Sequence, residues 1–210
     1  MRQSLYIVGA GGFGREVYQW FLDCEAMQAA YDFSGFIDDR ADALDLFDLQ
    51  APVLTHEAAC ETVDSAVFIC GLGSVVLKRK LCQPLLDAGA SFVSLVHPSA
   101  RVGSRVKLGR GVVVCPGVTI TCDVVLGQFS MINCHTTIGH GACIGEWTTV
   151  SAQCDLTGYT KLGDKVFVGS GARFIPGKQV GSGATVGAGS VVIRDVKAGT
   201  SVFGNPAREI

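Results

Sequence analysis

The chain has 210 residues, enough for two small domains or one large one with a real core, and its 48% hydrophobic content is spread among 27 glycines. A formal charge of -2 argues against a broad electrostatic grip on nucleic acid, and no apolar run is long enough to span a bilayer. Nine cysteines, an odd number with no C-x-x-C pair, are expected as reduced thiols behaving as small buried hydrophobes, and the absence of a secretory-type start before Leu5 points to a cytoplasmic protein.

Leu5-Tyr6-Ile7-Val8 is a compact apolar run expected as a buried strand, and Gly9-Ala10-Gly11-Gly12-Phe13-Gly14 follows it directly. Phe13, Val17, Trp20 and Phe21 then recur at helical spacing, so the loop opens a helix whose amide dipole points at whatever the glycines admit. Phe33 to Ile37 reads as a second strand ending in Asp38 and Asp39. Strand, glycine loop, helix, strand and acid is the order of a nucleotide-binding βαβ unit. A third strand is expected over Ala66 to Cys70, leading into Gly71-Leu72-Gly73-Ser74. A helix follows over Val75 to Ala88, with apolar residues at 77, 81, 85 and 88. Phe92 to Leu95 is the last strand, and His97-Pro98 marks a handover, since proline restricts the residue before it. Residues 1–95 are short for a full dinucleotide fold, so this small Rossmann-like βαβ domain is expected to hold one nucleotide and not NAD. The alternative is a packing domain whose glycines only permit tight helix-on-strand contact.

From Val96 to Val192 an aliphatic or aromatic residue stands at every sixth position. That period fits neither a helix nor a flat strand. It implies a coil whose flat faces are each crossed in six residues and whose inward corner is apolar. Glycines just after the beat, among them Gly103, Gly127, Gly145 and Gly169, sit where a side chain would crowd the bend. Small or β-branched residues four after the beat, such as Val112, Thr136, Thr148 and Ala172, complete an interior that stacks rung on rung. The fold class is therefore α/β plus β-solenoid, with the solenoid over 96–193 and a C-terminal tail over 194–210. Two of the four histidines fall on the coil, and His140 lies two residues past a buried corner, where side chains point outward; His135 carries the ordinary expectation of a surface histidine.

The six-residue pattern resembles the hexapeptide repeat of left-handed parallel β-helix acyltransferases. The whole chain, from the glycine loop to Gly204-Asn205-Pro206-Ala207, is similar to the bacterial two-domain sugar acetyltransferases. That family comprises N-acetyltransferases of nucleotide-linked amino-sugars and sialic acid O-acetyltransferases. The resemblance implies three hexapeptides per triangular coil, a homotrimer, and acetyl-CoA as co-substrate in the groove between neighbouring coils. In the family a segment of the form Ile-Asn, six residues, then His followed by an acid carries the general base. Ile132-Asn133 and His140 match it without a gap, so the resemblance assigns His140 the base and Asn133 a supporting polar contact. The acid's place is taken here by Gly141, and Glu146, Asp155 or His135 could stand in for it. Two further departures are Thr149, where relatives place a histidine near the thioester, and Phe13, which replaces a histidine of the first loop. The resemblance places Gly11, Gly12 and Phe13 on the phosphate and sugar side of a nucleotide, Asp38 and Asp39 on its base or ribose, and Gly73 at the closing edge. It places acetyl-CoA along Thr149, Gly158, Ser170 and Ala188, with Arg173, Lys178, Arg194 and Lys197 spaced to meet its phosphates.

Acetyl transfer from a thioester needs the nucleophile's proton removed as the tetrahedral intermediate forms, and an imidazole with a pKa near ~6.5 suits that at neutral pH. No covalent intermediate is needed, so no cysteine need be a nucleophile. The expected function is acetyl-CoA-dependent N-acetylation of a nucleotide-linked amino-sugar, with no membrane or nucleic-acid partner. The alternatives are O-acetylation of a sugar hydroxyl and, outside enzymes, a trimeric nucleotide-sugar-binding scaffold. A zinc hydratase on the same coil would need three histidines at one metal. Beside His97 only His135 and His140 are on offer, so no metal is expected.

Overall fold

The computed structural model describes residues 2–210. The chain divides into two compact units, Met1–Leu95 and Val96–Ile210.

The first unit is an open, all-parallel sheet with helices. Its elements are β1 (Gln3–Val8), α1 (Gly12–Leu22), α2 (Glu25–Ala30), β2 (Tyr31–Ile37), β3 (Val53–Leu54), α3 (His56–Cys60), β4 (Ala66–Cys70), α4 (Val75–Asp87) and β5 (Ser91–Phe92). The strand order is β3-β2-β1-β4-β5, so the chain leaves β1 in one direction and returns on its other side at β4. That reversal opens a crevice at the carboxyl ends of β1 and β4, the place where open α/β sheets hold ligands. The strands are apolar runs because both faces are covered: Leu5, Ile7, Val8, Phe36, Ile37, Phe68 and Ile69 are buried.

Three features of this unit differ from the sequence expectation. The short elements α2, β3 and α3 lie in what reads as loop, because each is too short to show a period. The last strand splits, β5 ending at Phe92 while Leu95–Val96 pairs elsewhere. The buried face of α4 is Lys78, Cys82 and Leu85, whereas Leu77 is exposed. Lys78, 1% exposed, takes the place a leucine stripe would have filled, and burial pushes its ammonium pKa down to about 8, against the opposing pull of Cys70 and Cys82.

The second unit is a left-handed parallel β-helix. Two-residue strands pair in parallel with a shift of 18 residues, as in Thr119 with Thr137, Val125 with Cys143 and Met131 with Thr149. Three such ladders make the three faces. The beat residues from Val114 to Val192 are buried, but Val102 and Leu108 are 40% and 37% exposed, since no coil lies beneath the first one. At every corner from Arg105 to Gly189 the residue three after the beat has a positive φ, and eight of these are not glycine. The glycines just after the beat have ordinary φ and serve a different purpose. A Cβ on Gly127 would stand 2.7 Å from the Glu146 nitrogen in the coil above, so the backbones approach more closely than a side chain permits.

Residues 194–210 are not a loose tail. The pairing shift shortens from 18 to 16, so Val196 bridges Val180 and Ser201–Phe203 pairs with Thr185–Val186. Arg208–Glu209 then folds back antiparallel and closes the last coil. The six-residue beat hides this turn because two residues are missing from it.

Candidate active site

In the first unit the glycine loop is built by close packing on one side and open space on the other. Gly9 has φ +99, and a Cβ on Gly14 would collide with the Gly9 carbonyl. A Cβ on Gly71 would stand 2.9 Å from Gly14 Cα, so the two loops of the crevice approach there more closely than a side chain permits. Around Gly11 and Gly12, by contrast, no described atom lies within 4 Å of where a Cβ would stand. Their bareness is not demanded by packing and leaves the start of α1, whose cap at Gly11 receives no side-chain hydrogen bond, free to meet a ligand.

Asp38 ties the end of β2 to this loop. Its Oδ2 accepts from the Ala10 N–H at 3.1 Å and from Arg40 Nη2 at 2.9 Å, and its Oδ1 accepts from Arg40 Nε at 2.9 Å. Burial alone would raise this carboxyl, but the hydrogen bonds from Arg40 and Ala10 outweigh it and hold it below its ordinary value. Asp39 is more exposed, and the His56 N–H donating to its Oδ1 at 3.0 Å lowers it too. Phe13 packs edge-on against Trp20, with ring centroids 5.6 Å apart. Arg15 was not singled out by sequence; its guanidinium lies 3.4 Å over the Phe47 ring and donates to the Ala10 carbonyl at 3.1 Å. Gly73 lies in the partly buried stretch between β4 and α4.

In the second unit His140 is exposed at the corner that follows the strand Thr137–Ile138. The coil above makes room for its ring. A Cβ on Gly158 would lie 2.7 Å from His140 Cε1 and Nε2, so glycine at 158 is what lets the imidazole stand there. Tyr159 meets it edge to face at 5.0 Å and 90°. Below, the Gly141 N–H donates to the Cys122 carbonyl at 3.1 Å.

Asn133 stands at the other end of the same face, at the corner preceding Thr137–Ile138, and its Oδ1 accepts from the Cys134 N–H at 2.7 Å. Ser170 and Ala188 share Asn133's corner, since each follows a strand of the same ladder. They are exposed, whereas Thr149 is buried in the strand Thr149–Val150. Of the residues expected to act together, one chain therefore joins Gly158 to His140 and groups Asn133 with Ser170 and Ala188, with one face of the triangle between the groups. His135 belongs to the second group, its ring packed over Gly117.

None of the three expected substitutes for the acid reaches His140. The Glu146 carboxylate accepts from Gln128 Nε2 at 2.8 Å, Asp155 accepts from Thr137 Oγ1 at 2.6 Å, and His135 is at the opposite corner. Lys178 lies 3.9 Å from Asp195, while Arg173, Arg194 and Lys197 are exposed. Among the described residues no helix is long and apolar enough to cross a membrane.

Known proteins resemble this chain along its whole length. Residues 4–85 match the family described as the PglD N-terminal domain. GDP-perosamine N-acetyltransferase of Escherichia coli O157:H7 is 27% identical over 99% of this chain and 96% of its own length. The structure of PerB from Caulobacter crescentus, in complex with CoA and GDP-perosamine, aligns with a TM-score of 0.88 at 30% identity, covering 99% of this chain and 97% of that one. The acetyltransferase domain of PglB from Neisseria gonorrhoeae FA1090, in complex with acetyl coenzyme A, aligns with a TM-score of 0.88 at 25% identity over the full length of both chains. A small parallel nucleotide-type sheet, a left-handed β-helix and end-to-end agreement with these proteins together show that the chain belongs to the bacterial two-domain hexapeptide-repeat sugar acetyltransferases, enzymes that take the acetyl group from acetyl-CoA.

Proposed function

We propose that the protein N-acetylates a nucleotide-linked amino-sugar in the biosynthesis of surface-glycan or glycoprotein sugars, with His140 as general base. The observation that carries this reading is the end-to-end match to PerB, whose structure holds CoA and GDP-perosamine together, combined with an exposed histidine for which the coil above clears space. The amine nitrogen attacks the thioester carbonyl while His140 takes its proton. The tetrahedral intermediate collapses, and the CoA thiolate leaves and is protonated by the imidazolium. Charge is balanced throughout, and no enzyme-bound acyl group is formed.

In this reading the first unit holds the nucleotide. The phosphates lie against the N–H groups at the start of α1, beside Gly11, Gly12 and Phe13, with Gly73 at the edge; Asp38 and Asp39 accept from the ribose or base. Acetyl-CoA lies along the second unit, past Thr149, Gly158, Ser170 and Ala188. The two groups at opposite corners of the triangle support a homotrimer, because coils set side by side about a threefold axis bring the His140 corner of one protomer to the Asn133 and Ser170 corner of the next. In this reading the enzyme works in the cytoplasm.

The test is a thiol-release assay with acetyl-CoA and a panel of UDP-, dTDP- and GDP-linked amino-sugars. One pair releases CoA well above background, and His140→Ala reduces turnover at least about 100-fold, as expected for loss of a general base, at unchanged trimer mass. No release with any pair overturns the enzyme reading, and full activity of His140→Ala overturns the choice of base.

A further inference from the structure

The family acid that follows the base is missing at Gly141, and the reason lies in the coil above. Gly141 has φ +67, but that conformation does not require glycine here: Arg105, Asp123, Phe129 and Trp147 take φ between 55 and 60 at the equivalent corners. What stands where a side chain would go is the ring of Tyr159. A Cβ on Gly141 would lie 2.6 Å from both Cδ1 and Cε1 of that ring. The same ring meets the imidazole of His140 perpendicularly at 5.0 Å, and the Tyr159 N–H donates to the His140 carbonyl at 2.8 Å. Tyr159 therefore fills the volume an acid at 141 would need and restricts rotation of the base.

A carboxylate stands in the same column one coil lower. Strands on either side of this corner pair with a shift of 18, which sets Asp123 beneath Gly141 and Tyr159 above it. Asp123 is held from below by Arg105, whose Nη2 donates to Oδ2 at 2.8 Å. The Arg105 guanidinium and then the Cys122 thiol hold its carboxyl down at about 2, with the charge of His140 acting in the same sense. Asp123 is thus ionised throughout the working range of any such enzyme. Arg105, Asp123 and His140 follow one another up the corner as cation, anion and base.

We propose that Asp123 supplies from the coil below the negative charge that relatives carry beside the base, and that Tyr159 fixes the orientation of the His140 ring. Both are positioning residues, and the inference rests on His140 being the base. The imidazolium formed as the amine loses its proton is stabilised by the charge of this carboxylate, which Arg105 holds in the column through both of its oxygens. Solvent screens the pair, so the effect is moderate.

The experiment measures thiol release across pH 6 to 9 for Asp123→Asn, Asp123→Glu, the double variant Asp123→Asn with Arg105→Gln, and His140→Ala. Asp123→Asn lowers kcat about tenfold with KM for acetyl-CoA unchanged. The pH dependence of its kcat departs from that of the wild type. Asp123→Glu retains most of the rate. Removing Arg105 as well does not restore activity, which excludes an unpaired guanidinium as the cause. Tyr159→Phe retains the rate, whereas Tyr159→Ala lowers kcat with KM for acetyl-CoA unchanged, because the edge contact with the His140 ring is lost; a wild-type rate for Tyr159→Ala overturns the role given to that ring. A wild-type profile for Asp123→Asn, a rate for Asp123→Glu as low as for Asp123→Asn, or recovery on removing Arg105 overturns the inference while the base reading stands. Activity in His140→Ala overturns both.

Discussion

Gly158 and Gly127 lack the same atom and should answer its return differently. A Cβ on Gly158 meets the far end of an exposed side chain, the His140 imidazole at 2.7 Å. One on Gly127 meets backbone of the next coil, the Glu146 nitrogen at 2.7 Å and the Gly145 carbonyl carbon at 2.8 Å. An exposed imidazole can be pushed off the edge of Tyr159 at the expense of its orientation and not of the fold, whereas a stacked coil cannot shift without breaking its ladder. Gly158→Ala is therefore expected to leave the thermal midpoint within about 2 °C of wild type. By displacing the proposed base it should lower kcat about 100-fold. Gly127→Ala is expected to cost about 1–3 kcal/mol of stability by overpacking. Thermal melts read beside thiol release separate the two, and equal loss of stability in both variants would contradict the reasoning.

Within each coil the buried threonines do more than fill the interior. Thr148 Oγ1 donates to the Gly163 carbonyl at 2.8 Å and accepts from the Val166 N–H at 3.1 Å. Thr136 does the same between the Ser151 carbonyl at 2.9 Å and the Cys154 N–H at 3.2 Å. These backbone groups belong to the corners of the coil above, where the left-handed residue interrupts the ladder. Thr148→Val keeps the shape and removes the hydroxyl, leaving a buried N–H without its partner. It should lower the unfolding free energy by about 1–3 kcal/mol, measured by denaturant titration, and a neutral result would mean the corner finds another partner. From the sequence the residues four after the beat were legible as small or β-branched, and that sufficed for the architecture. The choice of threonine over valine was not legible, because it depends on corners 15 and 18 residues away. Tyr159 and Asp123 are linked to Gly141 only through the stacking of coils 18 residues apart, which brings together residues that local sequence around His140 does not. The apolar positions 77, 81, 85 and 88 do not define the buried face of α4, because a lysine, Lys78, is buried there and Leu77 is not.

A solenoid buries its interior one coil against the next, so its stability is graded along its axis and its ends are the weakest places. Here the two ends are unlike. At the carboxyl end the shortened turn through Val196 and the antiparallel return of Arg208–Glu209 on Val202–Phe203 close the last coil. At the amino end the interior residues of the first coil, Val102 and Leu108, remain more than a third exposed, and its corner is tied by the exposed pair of Arg105 and Asp123. An exposed pair of this kind adds little. Local opening should therefore begin in the first coil and move inward. Native-state hydrogen exchange within this unit is expected to show amides of residues 101–110 exchanging first and those of 131–168 last, with the closing turn at 196–203 between them. Arg105→Gln should speed exchange at 101–110 and leave 131–168 unchanged, because coils interact only with their neighbours. Uniform protection from 101 to 203, or acceleration of the central coils by that change, would mean that the helix opens as one cooperative block and that its six-residue repeat fixes geometry without partitioning stability.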